Sequence, residues 1–324
     1  MSIAPLRIAV VTDDPGWHGR QLLKSMLAYG IDARYLRLQD CRIDLNHSEG
    51  LYLGEFGTEL PDGVFVRGVP GGSLEQVILR LDILHALRES GVPVYNDAKA
   101  IERTVDKGMT SLLLHRAGLP TPPTWVCETP EAIKSILMLE WAAGHTMVCK
   151  PLFGSQGEGI IKLNPQDSMP DLEVFKGVAY LQRFVPSWNG ISCDFRVFVV
   201  GGKVDCAMAR YGKDWINNVA QGARCESIIP TGDLELLAER AVEVLEMDYA
   251  GVDLIRGQDG HLQILEVNSV PAWYGLQSVT PHRIADRLIA DFLNRCVMPA
   301  ATLRHPLASQ LYPSDHRSSE ETLH

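Results

Sequence analysis

The chain has little that would tie it to a membrane, to a disulfide framework or to nucleic acid. No stretch approaches the ~18–20 consecutive apolar residues of a membrane helix. The seven cysteines (Cys41, Cys127, Cys149, Cys193, Cys206, Cys225 and Cys296) are odd in number, and no pair has Cys-x-x-Cys spacing. Neither a disulfide framework nor a zinc site of that type is therefore indicated, and reduced thiols in the cytoplasm fit best. Lys and Arg total 30 against 40 Asp and Glu, a net charge of −10, so a general nucleic-acid surface is not expected. A local basic pocket for phosphates remains compatible with that balance. Asp13 and Asp14 interrupt the first apolar run, so no signal peptide is read at the N-terminus. There is no Gly-x-Gly-x-x-Gly after the first apolar strand and no Gly-Lys-Ser/Thr loop anywhere, which excludes two common nucleotide fingerprints.

What is present is a core and a regular alternation of elements. With 324 residues, 46% of them hydrophobic, two or three domains or subdomains are expected. Ile8–Val11 reads as a buried strand, followed by the polar loop from Asp13 to Arg20 and a helix with Leu22, Leu23, Met26 and Leu27 inward. Val64–Val66 is a second strand. Leu74, Val77, Ile78, Leu81, Leu84 and Leu87 recur at helical spacing, and Val94–Tyr95 is a third strand. This alternation predicts a doubly wound α/β domain. A helix with Ile101, Val105, Met109, Leu112 and Leu113 buried should follow, and then antiparallel strands at 147–150, 160–163 and 179–185. Phe195–Met208 reads as a hairpin pivoting on Gly201–Gly202, 233–247 as an amphipathic helix, and Thr280–Pro281 as the start of a last helix.

Chemistry concentrates in four places. Gly251–Arg256 and Leu262–Pro271 are β-rich runs around Asp259–Gly260, a strong hairpin signal. The hairpin would set Asp253 beside Glu266 and Asn268, whose two-residue spacing shares one strand face. Converging carboxylate and amide oxygens suit Mg²⁺, which keeps positions open for substrate phosphates; chance polar residues on two amphipathic strands would read alike. Lys150 precedes a glycine-rich loop with Gly154, Ser155, Gly157 and Gly159, where main-chain N–H groups can approach phosphate oxygens beside a cation. Gln182, Arg183, Phe184 and Val185 read as a strand edge whose backbone could hydrogen-bond adenine. Asp194 and Arg196 share one strand face, with Arg210 on the returning strand, so both arginines could face an anion.

Taken in order, Lys107, Lys150 with its glycine loop, Asp194-Phe195-Arg196, Asn218, Gly251-Val252-Asp253 and Glu266-Val267-Asn268 resemble the ATP-grasp superfamily, and within it the RimK-like glutamate ligases. The resemblance runs from about residue 60 to 295. It implies an N-terminal Rossmann-like pre-ATP-grasp domain (1–97) and a two-subdomain α+β ATP-grasp fold (98–188 and 189–298), with 299–324 as a flexible tail. It implies ATP and two Mg²⁺ ions, with Mn²⁺ able to substitute. Asp253, Glu266 and Asn268 would hold the metals. Lys107 and Lys150 would contact phosphates, and Asp194 would lie near the ribose. Arg196, Arg210 and Asn218 would act at the reacting groups. The sequence departs from the family pattern at Arg183, where an acid is usual, and at Ile216 and Gln221, where arginines are common.

The activity implied is an ADP-forming carboxylate–amine ligase working through an acyl phosphate. Its partners would be a small-molecule acid and amine, without nucleic acid or membrane, and a homo-oligomer is not excluded. Trp17, Trp273 and Tyr274 mildly favour a ring-bearing, cofactor-type acceptor for glutamate, while Trp17 and Trp273 would serve equally as core or lid packing. The alternatives are a glutamate ligase acting on protein or peptide, and a non-catalytic ATP-binding regulator. Asp253→Asn and Glu266→Gln are both expected to abolish turnover with little loss of fold.

Overall fold

A computed structural model describes residues 4–154, 157–212, 215, 217 and 222–299. Ser155, Ile216, Asn218, Gln221 and residues 300–324 lie outside the described residues. No helix among the described residues is long and apolar enough to cross a membrane.

The first part holds β1 (Arg7–Val11), α1 (Gly16–Ala28), β2 (Asp32–Leu36), a small hairpin of β3 (Cys41–Ile43) and β4 (Leu51–Leu53), β5 (Gly63–Val66), α2 (Leu74–Glu89) and β6 (Val94–Tyr95). β2, β1, β5 and β6 form a parallel sheet in that order. Ile8 and Val10 of β1 pack with one core and Ala9 and Val11 with another, so both faces of the sheet are covered. α1 and the C-terminal helix α8 (Ile284–Phe292) cover the first face, while α2 contributes Ile83, Leu84 and Leu87 to the second. Leu74 and Ile78 of α2, and Leu27 of α1, are exposed instead of inward. α8 begins three residues after Pro281.

The expected helix after Asp97 is two helices, α3 (Ala98–Val105) and α4 (Lys107–Arg116). Asp106 ends the first and caps the second, its carboxylate accepting from the Met109 N–H at 3.0 Å, a capping bond of the kind that contributes about 1 kcal/mol. The break rotates the apolar stripe. Val105, Met109 and Leu112 are exposed, whereas Ile101, Thr110 and Leu114 are buried.

Next come β7 (Thr124–Cys127), α5 (Pro130–Ala142), β8 (Met147–Pro151), β9 (Ile161–Leu163) and β10 (Ala179–Arg183), forming an antiparallel sheet in the order β7-β10-β8-β9. The last sheet contains β11 (Cys193–Val200), β12 (Lys203–Tyr211) and β13 (Arg224–Ile228), then, after α6 (Asp233–Val244), β14 (Tyr249–Arg256) and β15 (Leu262–Asn268). Its order is β13-β12-β11-β14-β15, all antiparallel. α6 buries Ala238, Ala241 and Val242 against one face of it. The short helix α7 (Tyr274–Gln277) follows β15.

Candidate active site

The face of the five-stranded sheet opposite α6 carries the acids. Residues directly opposite in an antiparallel pair share a face. Asp253 of β14 lies opposite Glu266 of β15 on one side and Arg196 of β11 on the other, and Asp194 lies opposite Arg210 of β12. The register of β14 and β15 slips just after Asp253, a bulge that leaves Leu265 opposite no partner residue. Gly251 is needed for approach: a Cβ there would stand 2.9 Å from Pro271 Cβ and 3.1 Å from Arg196 Cδ.

These side chains form a buried ionic network. Arg196 grips Asp253 with both sides of its fork, Nη2 donating to Oδ2 at 2.7 Å. Arg210 donates through Nε and Nη2 to Asp194 (2.6 and 2.9 Å) and reaches Asp253 Oδ2 at 3.2 Å. Burial acts to raise the Asp253 pKa, but Arg196 and Arg210 outweigh it and hold the carboxyl below its usual range. At Asp194 burial prevails, lifting it to about 6 against the pull of Arg210. Glu266, by contrast, is half-buried, with 34% of its side chain exposed. Asn268 Nδ2 donates weakly to the Gly251 carbonyl at 3.5 Å.

The antiparallel four-stranded sheet and α4 supply the cations. Lys150 of β8 donates to Gln182 Oε1 at 2.7 Å. Desolvation pushes the Lys150 amine down to about 8; Glu266 opposes the shift and Lys107 adds to it. Lys107, at the first position of α4, donates to the Gly154 carbonyl at 2.7 Å and lies 3.9 Å from Glu266. Its pKa is also lowered by burial, against Glu266 and Asp106. Gly157 and Gly159 hold positive φ (75° and 69°), conformations that side-chain-bearing residues rarely adopt.

Lys150, Gly157, Arg183, Phe184, Val185, Asp194, Arg196, Arg210, Asp253, Glu266 and Asn268 line one cavity between the two sheets. Lys107, Gly154, Gly157 and Gly159's neighbours Glu158 and Ile160 border an adjoining one that shares Lys150 and Glu266. The expected edge strand is corrected: β10 lies between β7 and β8, with both edges paired, and ends at Arg183. Gln182 is buried and its amide donates to Tyr180 and Thr124 hydroxyls while accepting from Lys150. Its side chain therefore positions the lysine. The Arg183 and Phe184 N–H groups are committed to the carbonyls of Pro123 and Thr146. Arg183, which stands where an acid was expected, donates to Glu140 of α5 at 2.9 and 3.1 Å.

Several lining residues were not anticipated. Trp215 meets Phe184 edge-on at 5.9 Å, and the Lys162 amine sits 3.8 Å from the Phe184 ring centroid. Asn217 accepts from Ser192 and the Gly212 N–H. Val148, Ile160, Ile255 and Leu265 make the cavity wall apolar. The signal was the aromatic and amide pair Trp215 and Asn217 just beyond β12.

An oxygen-rich hairpin facing two lysines across a glycine loop is the arrangement a nucleotide phosphate requires. A family profile described as "RimK-like ATP-grasp domain" matches residues 104–292. The chain belongs to the RimK-like ATP-grasp family. It is 36% identical to tetrahydromethanopterin:alpha-L-glutamate ligase of Methanocaldococcus jannaschii over 89% of this chain and 98% of that protein. It is 28% identical to a probable alpha-L-glutamate ligase of Hydrogenovibrio crunogenus over 92% of this chain and 98% of that protein. Among solved structures, ATP-grasp ligase PsnB complexed with minimal precursor superposes with a TM-score of 0.69 at 21% identity, covering 89% of this chain and 100% of that one. D-cycloserine synthetase DcsG does so with 0.65 at 18% identity, over 90% and 99%. As a member of this family the chain is an ATP-dependent carboxylate–amine ligase.

Proposed function

We propose that this enzyme joins L-glutamate to a small-molecule, cofactor-type acid through an acyl phosphate, releasing ADP and phosphate. The observation that carries the chemistry is the facing of Asp253, Glu266 and Asn268 by Lys150 and Lys107 around one cavity. The reading of glutamate as the amine, and of a ring-bearing acid such as a reduced pterin derivative as the acceptor, rests on the match to the Methanocaldococcus ligase along nearly its whole length.

The donor set suits Mg²⁺: two carboxylates and an amide oxygen, all hard ligands, with Glu266 open to solvent. Two Mg²⁺ ions, with Mn²⁺ as a substitute, would sit on Asp253, Glu266 and Asn268 and neutralise phosphate charge. Lys150 and Lys107 hold the phosphates, and the glycine loop between them excludes water from an intermediate that hydrolyses readily. The Phe184–Val185 segment, Trp215 and the apolar wall accept the base, and Asp194 lies toward the ribose.

An oxygen of the acid attacks the γ-phosphorus as its bond to ADP breaks. The amine nitrogen then attacks the acyl carbonyl, the bond to phosphate breaks, and the nitrogen loses a proton. Arg196 and Arg210, fixed by Asp253 and Asp194, present their cationic faces to these developing charges. The test is to supply ATP, Mg²⁺, L-glutamate and a panel of pterin-type acids, following product mass and released nucleotide. Formation of a glutamyl amide with ADP is expected. AMP and pyrophosphate would overturn the mechanism, and glutamylation of peptides alone would overturn the small-molecule acceptor.

A further inference from the structure

The parallel sheet changes direction at β1: the chain passes to β2 on one side, and β5 pairs on the other. In open sheets of this kind ligands bind in the crevice at the carboxyl ends of the strands flanking that point. Arg67 directly follows β5 and stands there. Trp17 and His18, at the start of α1, pack edge-on against fully buried Trp273. The Arg67 guanidinium lies 5.3 Å from the Trp273 ring centroid and donates through Nη1 to the Val270 carbonyl at 3.2 Å. Val270 is two residues beyond Asn268, so the segment that Arg67 holds runs directly on from a candidate metal ligand.

Two facts set Arg67 apart. Arg196, Arg210 and Arg183 are each neutralised by a carboxylate. Among the described residues no carboxylate lies within ion-pair distance of Arg67. Asp14, whose field reaches it, is exposed and accepts from the Gly16 N–H. In addition, Arg67 Nε and Trp273 Nε1 are both shielded from water without a hydrogen-bond acceptor. His18 offers no relief: its Nε2 already accepts from the Trp273 N–H at 3.0 Å, and burial, then Arg67, pushes its pKa down to about 4, leaving it neutral. A cation and two orphan donors in one place lack an anionic acceptor.

We propose that Arg67 anchors a non-reacting carboxylate of a substrate in the crevice between the β1 and β5 loops. The planar fork, held against Trp273, suits a carboxylate better than a point charge would. This inference rests on the ligase reading, under which two substrates could bring such a group: the amine, if it is glutamate, and the acid, if it carries a second carboxylate.

The test compares wild type with Arg67→Gln and Arg67→Lys. ADP release is measured with L-glutamate against L-glutamine, and with dicarboxylic against monocarboxylic acid substrates; glutarate and ATP binding are measured by calorimetry. Arg67→Gln should raise KM for the anchored substrate at least about tenfold and erase its preference for the charged form, with kcat and ATP affinity nearly unchanged. Lost discrimination between glutamate and glutamine assigns the carboxylate to the amine; lost discrimination between acids assigns it to the acid. Arg67→Lys, which keeps the charge without the fork, should fall between, and carries the comparison if Arg67→Gln does not fold. Unchanged KM for both substrates together with unchanged glutarate binding overturns the anchor. If wild type forms no glutamyl amide yet binds glutarate through Arg67, the glutamate reading falls and the anchor stands.

Discussion

The two walls of the cavity solve opposite electrostatic problems. On the five-stranded sheet Asp253 is buried and enclosed by two guanidinium groups, each charge cancelled within the protein. On the four-stranded sheet Lys150 meets a neutral amide, Gln182, and is left desolvated and easily deprotonated. The first wall is a finished structure that also presents oxygens. The second is an incomplete one, whose cation gains most when an anion arrives.

The sharpest way to break this comparison is to neutralise the two acids in turn. Asp253→Asn and Glu266→Gln should each cut kcat by roughly 10²-fold or more, through lost charge stabilisation. Stability should separate them. Asp253→Asn strands Arg196 and leaves Arg210 with Asp194 alone, and should cost about 3–5 kcal/mol in urea unfolding. Glu266→Gln, half-exposed, should stay within about 0.5 kcal/mol of wild type. The sequence alone led to the expectation that both leave the fold intact; the buried ion pairs of Asp253 now predict a loss there, and equal losses would mean the acidic wall is not the structural one.

Lys150→Met comes next. ATP should bind about 10–100-fold more weakly, since a charge-assisted contact is removed, while the melting temperature stays level or rises because no desolvated amine remains. A large drop in melting temperature would place Lys150 in the structural class instead. A gentler probe is pH. With its pKa near 8, Lys150 is charged below that value and neutral above it. ATP affinity should therefore fall as pH rises from about 7 to 9, by up to ~10-fold per unit. Lys150→Met should flatten that slope. The smallest effect belongs to Arg183→Ala at the rim, where 33% of the arginine side chain is exposed; loss of its pair with Glu140 should cost less than about 1 kcal/mol in the same unfolding assay.

How much of this was legible in the sequence differs by wall. Asp253, Glu266 and Asn268 could be placed together because a strand has period two and Asp259–Gly260 marks the turn between partners. The opposite wall depends on contacts no periodicity reports. Gln182 holding Lys150 spans 32 positions, and Glu140 meeting Arg183 spans 43. The misplaced edge strand has the same cause: β7, with only four residues, carries no alternation strong enough to show that β10 is covered on that side. The break at Asp106 was missed because Ile101 to Leu113 mimics one continuous helix, and only the capping bond to Met109 reveals the stop. Arg67 carried no sequence signal at all; its meaning comes from the strand order around it.

Asn96 sets a limit on how this enzyme can move. It is fully buried just after β6, and it donates to the carbonyls of Tyr249 and Ser269 at 2.8 and 2.7 Å while accepting from the N–H groups of Asp248 and Tyr249 at 2.6 and 3.1 Å. One amide thus rivets the parallel sheet to both the entry and the exit of the acid-bearing hairpin. The crevice at Arg67 and the carboxylates at Asp253 and Glu266 therefore share a single rigid frame, like two jaws cut from one casting. A substrate carboxylate held by Arg67 would then be set against Asp253 and Glu266 by one bonded frame, and a change of acceptor would be made in the loops that stand on it.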